Sequence, residues 1–182
     1  MMFKSEFKKG CMLVIGGAKS GKSSFALQVC NTMDRDRIFL ATAQALDKEM
    51  KERIIRHQTE RDREWLTVEE PLNIAAAIGK LDDQDKLILL DCLTLWINNL
   101  FMKYEDDHQK IESSVEELLK QLSGIRGTII VVSNEVGSGI VPDNPLARTY
   151  RDIVGSANQR IASISKKVVT VITGLPLVLK DE

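Results

Sequence analysis

Eight residues near the start of the chain, GGAKSGKS at positions 16–23, restrict the possible fold more than any other feature. They match the spacing Gly-x4-Gly-Lys-Ser, in which glycines let backbone N–H groups turn inward and wrap an anion. Such a loop works between a strand and a helix, because the helix presents its positive N-terminal end to the same anion. Both flanks are present. The apolar run 12–15 predicts a buried strand, and Phe25, Ala26, Val29 and Cys30 give an inner face to a helix over 22–33. The expected phosphate contacts are therefore Gly16, Gly17, Ala18, Lys19, Ser20, Gly21, Lys22 and Ser23. Lys22 would reach the β- and γ-phosphates of a nucleoside triphosphate, and Ser23 would ligate Mg²⁺.

Apolar runs at 37–41, 87–90, 128–132 and 168–172 predict further strands, with shorter ones at 65–68 and 177–179. Helices are expected over 72–81 and 93–103, through the stripe Ile111, Val115, Leu118, Leu119 and Leu122, and through Asn158 and Arg160. This alternation predicts an α/β three-layer sandwich with a mostly parallel sheet. The 182 residues suit one domain, with residues 1–11 as a polar N-terminal extension. Residues 47–65, DKEMKERIIRHQTERDREW, are densely charged, and Met50, Ile54 and His57 recur there at helical spacing.

A formal net charge of −1 gives no general attraction for a nucleic-acid backbone, so no nucleic-acid partner is expected. Cys11, Cys30 and Cys92 lie in or beside apolar runs without CxxC pairing, which predicts buried thiols in a reducing compartment. No apolar stretch approaches the roughly 20 residues a transmembrane helix needs, so the expected location is cytoplasmic.

The run Leu87-Ile88-Leu89-Leu90-Asp91 delivers a carboxylate at a strand's C-terminal edge, where it would orient Mg²⁺ directly or through water. His57 stands alone in a charged helix, and by itself fits a surface or packing residue as readily as a nucleophile. His108 follows an acidic turn and reads as solvated.

Taken together, GGAKSGKS, the run Ala41-Thr42-Ala43-Gln44, residues 47–57 and the stretch SNEVGSGIVPDNPLARTYRDIVGSANQR resemble one family. It is that of the bifunctional adenosylcobinamide kinases and adenosylcobinamide-phosphate guanylyltransferases of cobalamin synthesis. The likeness runs from about Met12 to the C-terminus. Many families share the phosphate loop. The segments Asn134-Glu135-Val136-Gly137, Ile140-Val141-Pro142 and Asn158-Gln159-Arg160 are far more specific.

The resemblance implies a RecA-like P-loop nucleoside triphosphate fold and two reactions. A nucleoside triphosphate phosphorylates adenosylcobinamide, and GMP is then transferred from GTP to adenosylcobinamide phosphate through a guanylylated histidine. The matching histidine is His57. A neutral imidazole can attack the α-phosphorus with pyrophosphate leaving, which splits one hard displacement into two easier ones. The resemblance further assigns nucleotide contacts to Thr42, Ala43, Gln44, Gln58, Thr59, Glu60, Arg61, Glu69 and Asp91. The Glu69 carboxylate could accept from the N1 and N2 donors of guanine. GTP, ATP and Mg²⁺ are the implied cofactors, and a homo-oligomer, a trimer, is the implied assembly. The chain departs from the family's pattern in three places. Arg56 precedes His57 where some relatives have a second histidine, Asp91 stands for a glutamate, and about ten extra residues precede the first strand.

Two other readings compete. One is a P-loop kinase of another small metabolite, in which His57 is structural. The other is a GTP-binding regulatory protein, which would need the Asn-Lys-x-Asp guanine signature that this chain lacks.

Overall fold

Parallel strands can be joined only by crossovers that pass over a face of the sheet, so the strand–helix alternation sets the layering. The computed structural model describes residues 7–45, 48, 51, 52, 64–105 and 107–182. In chain order its elements are β1 (Gly10–Gly16), α1 (Lys22–Asn31), β2 (Asp36–Ala41), β3 (Trp65–Glu69), α2 (Ile74–Leu81) and β4 (Lys86–Asp91). Then come α3 (Leu93–Tyr104), α4 (His108–Ser123), β5 (Thr128–Asn134), α5 (Pro145–Ile164), β6 (Lys167–Ile172) and β7 (Leu175–Asp181). The sheet order is β3-β2-β4-β5-β1-β6-β7. Every neighbouring pair is parallel except β6 and β7.

Strand alternation divides the interior into two cores. Met12, Val14, Phe39, Leu87, Leu89, Ile130 and Val132 pack with Phe25, Ala26, Val29 and Cys30 of α1 on one face. Leu13, Ile38, Leu40, Ile88, Leu90, Ile129 and Val131 meet α2, α3, α4 and α5 on the other. The three-layer, mostly parallel sandwich expected from the sequence is thus the observed architecture.

Element ends differ where side chains intervene. Helix α2 begins at Ile74 rather than 72, because Glu70 Oε1 accepts from the N–H groups of Leu72 (3.0 Å) and Asn73 (2.8 Å) and holds them outside the helix. Helix α1 ends at Asn31, where Thr32 Oγ1 donates to the Val29 carbonyl at 2.7 Å. Strand β7 runs longer than 177–179, since its bounds are set by pairing along β6 rather than by its own apolar run. The polar extension also needs correction. Strand β1 starts at Gly10, Phe7 is buried in the α1-side core, and the Lys8 carbonyl accepts from Arg35 Nη2 and Thr128 Oγ1, each at 3.0 Å.

The edge of the sheet away from the phosphate loop is pinned by Asp82. Its buried carboxylate accepts from the N–H groups of Arg126 (2.9 Å) and Gly127 (2.9 Å) and from Arg126 Nε (3.3 Å). All three cysteines are free and buried, as expected. Burial pushes the Cys11 thiol up to about 11, with a Ser165 hydrogen bond opposing, and burial raises Cys30 further. No described helix is long and apolar enough to cross a membrane.

Candidate active site

Ligands of open parallel sheets bind beyond the carboxyl ends of the strands, and the predicted phosphate loop leaves β1 at that edge. Its glycines have distinct jobs. At Gly16 an added Cβ would stand 2.5 Å from the Val171 carbonyl oxygen and 2.6 Å from Ser20 Oγ, so the loop folds tightly over the end of β6. Gly21 is the N-cap of α1 with φ 93°, a conformation that favours glycine, and a Cβ there would meet Gly174 Cα at 3.3 Å. The turn between β6 and β7 braces the loop from outside, with the Gly174 N–H donating to the Ser20 carbonyl at 2.8 Å. Gly17 has open space around it.

Lys22 is buried and donates from Nζ to the Gly17 carbonyl at 3.1 Å, folding back over the loop. Ser23 is half-buried in the first turn of α1. No acidic residue lies in that first turn, so the helix N-terminus keeps its full attraction for an anion.

Register places the other candidates along the same edge. Glu69 pairs with Ala41, Ala41 with Asp91, and Asp91 with Val132, while Gly16 pairs with Asn134. Leu87 and Leu89 face α1, so by strand alternation Asp91 projects to the α1 side as well. The phosphate loop and Asp91 therefore share one face and one edge, two inter-strand steps or about 10 Å apart. Glu69 is exposed at the end of β3, four steps or about 19 Å from β1, outside this cluster.

Thr42 follows β2 and is fully buried, and its hydroxyl is committed to structure. It donates to the Cys92 carbonyl at 2.8 Å and accepts from the Cys92 N–H at 2.9 Å. Ala43 is half-buried and Gln44 exposed beyond it. His57, Gln58, Thr59, Glu60 and Arg61 lie outside the described residues. His108 is exposed and tilted against the Phe101 ring, as expected of a solvated residue.

A polar network behind the edge was not foreseen from sequence. The Thr94 hydroxyl lies 3.3 Å from Cys92 Sγ and accepts from the Asn134 N–H, also at 3.3 Å. Asn158 Nδ2 donates to the Asn134 carbonyl at 3.0 Å, and Asn99 Nδ2 to the Thr42 carbonyl at 2.8 Å. Tyr150 donates to the Thr94 carbonyl at 2.9 Å, and burial, with Cys92 nearby, pushes its hydroxyl up to about 12. The available signal was polar residues inside apolar stretches, such as Asn99 in LTLWINNLFMKY. Ser20 Oγ, Ser133 Oγ, Asn134 Oδ1 and Asn158 Oδ1 are buried without a hydrogen-bond partner among the described residues.

Also among the described residues, no three His, Cys, Asp or Glu side chains gather to hold a metal by themselves. Ser23 and Asp91 offer hard oxygen donors, the kind Mg²⁺ takes alongside phosphate oxygens and water.

Comparison with known proteins places these features. Residues 12–179 match the family model described as cobinamide kinase / cobinamide phosphate guanyltransferase. The chain is 42% identical over 170 residues to the bifunctional adenosylcobalamin biosynthesis protein CobP of Pseudomonas aeruginosa, covering 93% of this chain and 97% of that protein. It is 33% identical over 180 residues to the bifunctional adenosylcobalamin biosynthesis protein CobU of Escherichia coli, covering 93% and 99%. Among solved structures, an ATPase from a type III secretion system superposes with a TM-score of 0.57 at 15% identity, over 88% of this chain and 50% of that one. The RadB recombinase gives 0.54 at 14%, over 93% and 77%. At these identities the two structures speak for the fold alone, which is RecA-like.

Proposed function

Because the chain belongs to the family of cobinamide kinases and cobinamide phosphate guanyltransferases, we propose that it carries out both reactions. It phosphorylates adenosylcobinamide with a nucleoside triphosphate, then transfers GMP from GTP to adenosylcobinamide phosphate by way of a guanylylated His57. The observation that carries this reading is the family match over residues 12–179 combined with an intact phosphate cradle at the sheet edge.

The chain's own groups support the chemistry. Lys22 leaves the Gly17 carbonyl and places its ammonium on the β- and γ-phosphates, joined by the backbone N–H groups of residues 17–23. In the first reaction that charge is held while the γ-phosphoryl group moves to the substrate hydroxyl. In the second it is held on departing pyrophosphate, while a ring nitrogen of His57 bonds to the α-phosphorus. Ser23 and Asp91 would hold Mg²⁺, which would supply charge neutralisation at the phosphate oxygens. Thr42, Ala43, Gln44, Gln58, Thr59, Glu60, Arg61 and Glu69 contact the nucleotide, with Glu69 selecting guanine. With the Thr42 hydroxyl committed to Cys92, contacts from that segment fall to backbone groups and to Gln44.

The protein acts as a homo-oligomer, a trimer, in the cytoplasm. Exposed Leu175, Leu177 and Leu179 on β7, an edge strand, with Ile172 at the end of β6, support self-association, since monomers rarely leave such a row uncovered. Light scattering of the purified protein checks it, and a strictly monomeric mass overturns it.

The test of function is direct. The protein is incubated with adenosylcobinamide, GTP and Mg²⁺, and the corrinoid is followed by mass spectrometry. The expected sequence is adenosylcobinamide phosphate followed by adenosylcobinamide-GDP. An unmodified corrinoid overturns the proposal, and phosphorylation without GMP transfer removes its second half.

A further inference from the structure

Strand β5 lies between β1, which carries the phosphate loop, and β4, which carries Asp91. Its last residue, Asn134, pairs with Gly16 and stands two residues beyond Val132, the partner of Asp91. Ile130 and Val132 face α1, so alternation sends the Asn134 side chain to the same face as Asp91 and the loop. Its backbone is clamped from the opposite layer, with the N–H on Thr94 Oγ1 and the carbonyl on Asn158 Nδ2. The carboxamide is not. Oδ1 is buried with no hydrogen-bond partner among the described residues. A buried carbonyl left so costs on the order of 1–3 kcal/mol, which native folds tolerate where a partner arrives later.

A carboxamide offers one acceptor and two donors at neighbouring points. Phosphoryl transfer to an alcohol presents the complement, a hydroxyl that donates beside a phosphoryl group that accepts. We propose that Asn134 is a catalytic residue of the kinase step, its Oδ1 accepting from the substrate hydroxyl and its Nδ2 donating to the γ-phosphoryl group. The hydroxyl oxygen then bonds to the γ-phosphorus as the bond to the β-phosphate oxygen breaks. The diphosphate leaves with that electron pair, and the hydroxyl proton passes to a phosphate oxygen. This rests on the functional reading above. The guanylylation of His57 uses no alcohol and reacts at the α-phosphorus, so it needs no acceptor at Oδ1 and shares only the Nδ2 contact to the γ-phosphate.

That asymmetry provides the test. The variants Asn134→Ala and Asn134→Asp are compared with the wild type for phosphorylation of adenosylcobinamide and, separately, for label transferred from α-labelled GTP to the protein. Loss of one charge-stabilising donor typically costs 10²–10³-fold in kcat, so Asn134→Ala should lose about 10²-fold in phosphorylation. Asn134→Asp, with a carboxylate against the phosphate, should lose at least as much. Labelling of Asn134→Ala should fall by at most about tenfold, since only the donor contact to the γ-phosphate is shared, and its melting temperature should be nearly unchanged; Asn134→Asp should weaken labelling further through repulsion of the shared triphosphate. Wild-type phosphorylation by either variant, or equal loss of both half-reactions in Asn134→Ala, overturns the assignment. A wild type that phosphorylates no corrinoid overturns the functional reading itself, and the assignment with it.

Discussion

The substitution Gly16→Ala places a Cβ 2.5 Å from the Val171 carbonyl oxygen and 2.6 Å from Ser20 Oγ. Ser20 can rotate away, but the Val171 carbonyl belongs to β6, whose ladder with β1 runs through Ile15 and Thr170. Ordinary contact begins near 3.4 Å, so the two backbones must separate by roughly 0.9 Å. Overpacking a tight site by one methyl group costs about 1–3 kcal/mol, and rigid backbone on one side argues for the upper half. For a chain of this length about 2–3 kcal/mol lowers Tm by about 5–10 °C. The loop moves with its anchor, and a displacement near 1 Å can cost about 10²-fold in rate. Gly17 supplies the control. It adjoins Gly16 in sequence, yet a Cβ there meets nothing within 4 Å and its φ is not positive. Gly17→Ala should melt within about 1 °C of the wild type, since substitutions without such a clash stay within ±0.5 kcal/mol. Thermal unfolding followed by circular dichroism decides. If Gly16→Ala melts with the wild type, or the two variants fall together, the close approach of loop and β6 is refuted.

Two further outcomes follow from the packing. Asp82→Ala strands the N–H groups of Arg126 and Gly127 and should cost about 2–4 kcal/mol in urea unfolding, with Asp82→Asn costing less; equal stability of all three proteins would refute the role given to Asp82. Stability should also fall at alkaline pH. The Cys11 thiol ionises at about 9.0 when unfolded and about 11 when folded, so the unfolded state releases its proton first. The folded state is unaffected below pH 9 and loses up to about 2–3 kcal/mol as pH rises to about 11. Denaturation at pH 8 and pH 10 measures the slope, of which Cys11→Ala should remove about half, because the Cys30 thiol is raised in the same sense; an unchanged slope in the variant would assign it elsewhere.

The fold was readable because its strands are continuous apolar runs and its first crossover carries a motif with one structural context. Leu87 to Asp91 and Thr128 to Val132 announced central strands in this way. Residues whose meaning depends on partners distant in sequence were not readable. Nothing near Thr42 in sequence announced that its hydroxyl closes on Cys92, 50 residues away. Gly174 gave no sign that its N–H braces Ser20. Asn134 stood in a specific stretch, and only the strand order puts it between the loop and Asp91.

In the proposed function one protein uses its triphosphate site for phosphoryl transfer and for nucleotidyl transfer through His57. Incubation with α-labelled GTP and Mg²⁺ tests it most directly. The expected result is a labelled protein whose adduct is labile in acid, stable in alkali, and absent in His57→Ala. An unlabelled wild type, or label that survives in His57→Ala, would contradict it.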